Sequence, residues 1–192
     1  MTALDWKHEA IEQLEWHWTQ QLRPRLKGLT DDEYLWEPVP VCWSLRPRGE
    51  ARTEGASGAG ELVMEWQWPL PTPTPVTTIA WRIGHICFDC FGRRAESHFG
   101  GPAMSYDTVE WPTTAAGALA WLDETHRRWM DGIKAMGAGT MANPVGPAEG
   151  PWKDSPFAAL VLHINREVIH HGAEIALLRD LYANRPDTPP VP

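Results

Sequence analysis

The segment from Ser155 to Asn184, SPFAALVLHINREVIHHGAEIALLRDLYAN, constrains the fold more than any other part of the chain. It is apolar through most of its length and has no proline after Pro156, so it predicts one long helix over about 155–184. At about 100° per residue, Phe157, Leu160, Ile164, Val168, Ile175, Leu178 and Tyr182 form one stripe that must face an interior. His171 falls at the centre of that stripe. Glu167 lies about 40° and Glu174 about 60° to one side of it, while Asn165, Arg166 and Asp180 point away. His163 and His170 are boundary positions, and His163 lies about 12 Å along the axis from His171, too far to share an ion with it.

An ionised glutamate facing a core is costly unless it is paired or bound to a metal. Two explanations fit. Glu167 and His171 form a buried hydrogen-bonded pair, or their i, i+4 spacing converges on one divalent cation.

The rest of the chain also reads as helical. Leu4, Ile11, Leu14, Trp18, Leu22 and Leu29 mark a helix over about 3–29, with Pro24 expected to kink or end it near Gln21. Thr74-Pro75 is expected to open a second helix to about residue 99, where Gly100-Gly101 ends it. Pro112-Thr113-Thr114 opens a third over about 113–137. The proline- and glycine-rich segment 30–74 reads as a long connection covering one end of the domain, with a short extended piece at LVMEWQW. The expectation is an all-α antiparallel four-helix bundle forming a single domain over 1–192.

A third candidate ligand, His85 in WRIGHICFDCF, sits in the middle of the second helix, after a glycine expected to keep the local surface open. Asp89, one turn on, is placed to orient the imidazole. Cys87 and Cys90 form a C-x-x-C in mid-helix with no second pair, which reads as buried small side chains. Three cysteines suit a reducing compartment, and MTALDWKHEAIEQLEW is unlike a secretory signal, so a cytoplasmic location is the expectation. A net charge of −8 argues against nucleic acid, and no apolar run approaches the roughly 20 residues that span a membrane. The twelve tryptophans read as core and pocket-wall packing. G-x-S-x-G, P-loop, G-x-G-x-x-G and H-E-x-x-H motifs are absent.

WRIGHI and NREVIHHGAEIALLRDLY together resemble the DinB/YfiT-like superfamily, in particular its actinobacterial branch and the metal-binding domain of mycothiol-dependent maleylpyruvate isomerase. That resemblance implies an up-down-down-up bundle with a metal held by His85, Glu167 and His171, with Glu-x-x-x-His in place of the commoner His-x-x-x-His. Zinc is the expected ion, with nickel, iron or manganese as alternatives. The implied activity is a thiol-dependent S-transferase or isomerase reaction with a low-molecular-weight thiol such as mycothiol; the rival is a metal-binding domain without catalysis. Asp89 and Glu174 are expected beside the metal as hydrogen-bond partners or base, and Arg82, Arg93 and Trp81 as substrate contacts. The expected partners are small molecules, with neither nucleic acid nor membrane, and a homodimer is left open.

Overall fold

The computed structural model describes residues 4–186 and is mostly helical. The proposed helix start at residue 3 and the domain ends therefore lie outside the described residues. Asp5 caps the first helix, α1 (Trp6–His17), by accepting from the Lys7 and His8 amides. The helix does not stop near Gln21. It widens into a π-helical stretch, Trp18–Leu22, and continues as α2 (Arg23–Arg25). The Arg23 amide reaches back to the Trp18 carbonyl, so Pro24, which has no amide to donate, enters as an early residue of a fresh turn.

The segment 30–74 is more ordered than its composition suggests. Thr30 caps a short helix, α3 (Asp31–Tyr34), and strands β1 (Leu45–Pro47) and β2 (Leu62–Met64) pair antiparallel with Leu45 opposite Met64. Its keystone is Glu65, fully buried, whose carboxylate accepts from the Ser44 amide at 3.1 Å, Arg46 Nε at 2.7 Å and the Arg52 amide at 2.7 Å. A buried carboxylate is tolerated when it is satisfied in this way.

Helix α4 (Ile79–His85) begins four residues later than Thr74-Pro75 implied. The stretch before it is pinned to the loop by Trp43–Val76 and Thr78–Trp43 backbone bonds, and Thr78 provides the cap through the Trp81 amide. After His85 the chain again runs as a π-helix, Ile86–Gly92, before resuming as α5 (Arg93–Phe99). Gly84 is buried rather than open: a Cβ there would meet the Met64 methyl at 3.1 Å and the Trp111 ring at 3.4 Å. Thr114 caps α6 (Ala115–Ala135), whose first amide also binds Asp31 at 2.7 Å. The longest helix, α7 (Phe157–Ala183), buries Phe157, Leu160, Ile164, Val168, Ile175 and Leu178, the stripe its periodicity indicated; Tyr182 is half-buried.

These helices share one core centred on Leu14, Leu22, Phe88, Phe91, Leu122, Trp129, Ile164 and Val168. Buried Asn165 ties α7 to α1 by donating to the Ala10 carbonyl at 2.8 Å, and Arg179 of α7 pairs with Glu33 of α3 at 2.7 Å. Among the described residues, no helix is long and apolar enough to cross a membrane.

Candidate metal centre

The core brings the end of α4, where the π-helical stretch begins, against the middle of α7, and two histidines meet there. The His85 and His171 rings lie 4.9 Å apart, edge to face at 87°. Glu167 stands one turn before His171, with Oε2 at 3.5 Å from His171 Nε2 and 4.0 Å from His85 Nε2. One ligand atom from each of the three residues lies within 4.8 Å of the others, the spacing of donors that share an ion. All three side chains are partly exposed, so the site opens to one side.

What stands behind the rings is as telling as their mutual distance. His85 Nδ1 donates to Asp89 Oδ2 at 3.1 Å, and Tyr106 donates its hydroxyl to the same carboxylate at 2.7 and 2.9 Å. His171 Nδ1 donates to Glu174 Oε2 at 2.6 Å, and that oxygen also accepts from Arg82. Each imidazole thus has a carboxylate at its Nδ1 and turns its Nε2 toward Glu167. The π-helical turn matters here. With more than four residues per turn, Asp89 and Cys90, four and five positions on, both fall on the His85 side of the helix, and Asp89 hydrogen-bonds to its ring.

The two imidazoles differ in basicity. Burial works against protonation of His85, but hydrogen bonds and charge from Asp89 and Cys90 outweigh it and raise the pKa to about 10. Burial lowers the His171 pKa; Glu174 opposes this, while the neighbouring His85 and Arg82 reinforce it. Asp89 is buried too, yet His85 and Tyr106 hold its carboxyl below the usual carboxylate range. A divalent ion entering this site displaces the His85 proton and finds His171 already neutral.

The remaining residues expected at the site fall into two groups. Trp81 stacks on His85, with centroids 5.5 Å apart and planes at 15°, and its Nε1 donates to the Glu65 carbonyl at 2.6 Å. Arg82 is engaged by Glu174, with its Nη1 also 2.9 Å from His171 Nδ1, rather than facing open space. Arg93 stands half-exposed, 3.8 Å from Asp89 and over the Phe88 ring. His170 is exposed and lies 3.3 Å from Glu174; with His171 it forms a second group of close donors that shares the latter residue. Cys87 and Cys90 are free and buried.

Sequence reasoning did not find Tyr106. It lies in the connection between α5 and α6, where no periodicity marks a direction, and packs on Phe88 at 4.4 Å. It also did not find Glu65, whose role appears only once β2 is paired.

Beside the metal centre lies a cavity of about 470 Å³. Trp43, Trp66, Trp68, Trp81 and Tyr106 line it, and His85, Asp89 and Glu167 reach its wall.

Comparison with known families supplies one match: the family described as the DinB superfamily matches residues 13–175. Neither the curated proteins nor the solved structures provide a match.

Proposed function

The chain belongs to the DinB superfamily, and on that premise we propose that it is a divalent-metal-dependent enzyme acting with a small-molecule thiol, as an S-transferase or isomerase. The proposal includes an up-down-down-up four-helix bundle forming one domain, a cytoplasmic location, and zinc as the ion. His85, Glu167 and His171 would hold the metal. The observation that carries this reading is the approach of their ligand atoms to within 4.8 Å, with the two imidazole Nε2 atoms and one carboxylate oxygen turned to one another.

The residues present fit such an ion. Two imidazoles and one carboxylate suit zinc and leave coordination positions open, as in catalytic sites. When bound, the metal supplies a Lewis acid that makes a thiolate available at neutral pH. The chain's own residues supply position. Asp89 and Glu174 fix the tautomers of His85 and His171, and Tyr106 and Arg82 fix the two carboxylates. Trp81 holds the His85 ring by stacking.

One observation favours the rival, a metal-binding module without catalysis. Asp89 and Glu174 are both already committed to a histidine and a second donor, so neither is free as a general base. In the enzymatic reading no protein base is required, because a thiol coordinated to the ion would release its proton to solvent.

Two measurements separate the readings. Protein purified without an affinity tag should carry about one zinc equivalent, lost in His171→Ala; equal metal content in both would refute the site. A panel of low-molecular-weight thiols with electrophilic acceptors should then show turnover that chelation abolishes. Metal binding with no effect of any thiol on rate or melting temperature would favour the module.

A further inference from the structure

The cavity beside the metal centre has walls of a particular kind. The long loop contributes Trp43, Trp66 and Trp68, α4 contributes Trp81, and the connection before α6 contributes Tyr106. Trp66 and Trp68 are 42% and 78% exposed, an unusual position for indoles on a well-anchored segment. The anchoring is firm, because Trp66 directly follows the fully buried Glu65 and its three donors. Gly55 lets the chain close on it: a Cβ at that position would stand 2.6 Å from the Trp66 carbonyl oxygen. The Trp66 backbone and the Trp81 indole, whose Nε1 donates to the Glu65 carbonyl, are therefore held in place before any ligand arrives, which spares a ligand part of the cost of ordering this wall.

Most charged groups of this cavity are already engaged. Arg94 donates to the Asp89 carbonyl and stands 3.4 Å from Glu149. Asp89 is taken by His85 and Tyr106, and Glu167 lies between the two histidines of the metal centre. His163 accepts from Arg166 at 2.7 Å. Of these charged groups Arg94 keeps an unpartnered nitrogen, its Nε, and that atom is buried, whereas a flat apolar ligand finds four indoles. The size, about 470 Å³, lies in the range of roughly 300–1,000 Å³ usual for small-molecule sites.

We propose that this cavity seats an uncharged, planar aromatic group of the substrate, stacked among Trp43, Trp66, Trp68 and Trp81 with its edge toward the metal centre. This names the acceptor class for the enzyme proposed above and rests on that reading for its catalytic meaning, although the binding itself does not require the metal.

The test is a fluorescence titration with N-phenyl-1-naphthylamine, a neutral planar probe, on both zinc-loaded and chelator-treated protein. Binding is expected in both forms, with 2-naphthol displacing the probe at least tenfold more effectively than the compact, non-planar 1-adamantanol. The carboxylate analogue 2-naphthoate should displace it less well than 2-naphthol. Trp68→Ala, a change at an exposed loop position, should weaken probe binding about tenfold, the scale of one lost stacking partner. Trp152→Ala, at an exposed tryptophan lining a different cavity, should leave it unchanged. Absence of probe binding, equal displacement by 1-adamantanol, or wild-type binding by Trp68→Ala would overturn the proposal. Loss of zinc binding with the aromatic preference intact would instead defeat the metal reading alone.

Discussion

Two groups of histidines lie on opposite sides of α7, and they are built on opposite principles. His171 faces the metal centre, and its neighbour Gly172 backs onto His17, whose Nε2 would stand 2.9 Å from a Cβ at that position. Beyond it, His126 lies flat on Trp18, with ring centroids 3.7 Å apart and planes within 1°. His126 Nε2 and His17 Nε2 are both buried without a hydrogen-bond partner. On this side burial depresses the His126 pKa to about 4, and it lowers that of His17 as well. On the other side a carboxylate stands behind each ring. The lesson is that burial alone makes a histidine a neutral aromatic plate, and only a carboxylate at Nδ1 turns it into a directed donor.

The comparison can be broken most sharply with acid. The unfolded chain takes up a proton on His126 near pH 6.5, but the folded chain does so only near pH 4. The contribution of this group to stability is therefore complete above pH 6.5 and falls by about 3 kcal/mol as the pH drops to 4. Denaturant unfolding of wild type and His126→Leu across that window should show the difference: the variant loses less stability. Parallel pH profiles would refute the assignment. His126→Leu should also leave zinc affinity unchanged.

On the other side the expected effects fall on metal affinity. Asp89→Asn removes the negative charge behind His85 while keeping an acceptor, and should weaken zinc binding roughly tenfold or more in competition with a chromophoric chelator. An unchanged dissociation constant would mean that the carboxylate does not tune the ligand. Tyr106→Phe removes the charge-assisted hydrogen bond to the Asp89 carboxylate and should weaken zinc by about fivefold, corresponding to about 1 kcal/mol. A larger loss than in Asp89→Asn would invert the proposed order of influence.

How much of this was legible in the sequence depends on periodicity. The stripe of α7 placed His171 and Glu167 toward the interior because a regular helix advances about 100° per residue over its whole length. The same arithmetic gave only a loose direction for His85, because the helix widens immediately after it. Pro24 was expected to kink or end the helix near Gln21; it does not end it there, because the irregularity takes the form of the π-helical turn before it. Thr74-Pro75 carried a cap signature, but Thr78 serves instead, since backbone bonds to Trp43 hold the intervening residues extended. The contacts of Tyr106 and Glu65 are long-range, and no local pattern encodes them.

The wide turn at Ile86–Gly92 has a consequence for how this protein tolerates change in length. A π-helical turn holds one residue more than the α-helical path it replaces. Deleting a single residue there would let the segment close into ordinary α-helix, with every hydrogen bond of the backbone still satisfied. Everything after it would keep nearly its present orientation relative to His85, because the wide turn sweeps about the same angle as the α-helical path with one residue fewer. Such a deletion leaves the histidine and the face of α5 that carries Arg94 almost untouched, yet within the turn it changes which residues stand behind the His85 ring, where Asp89 now sits. In this stretch the spacing of residues is under tighter constraint than the identity of most of them.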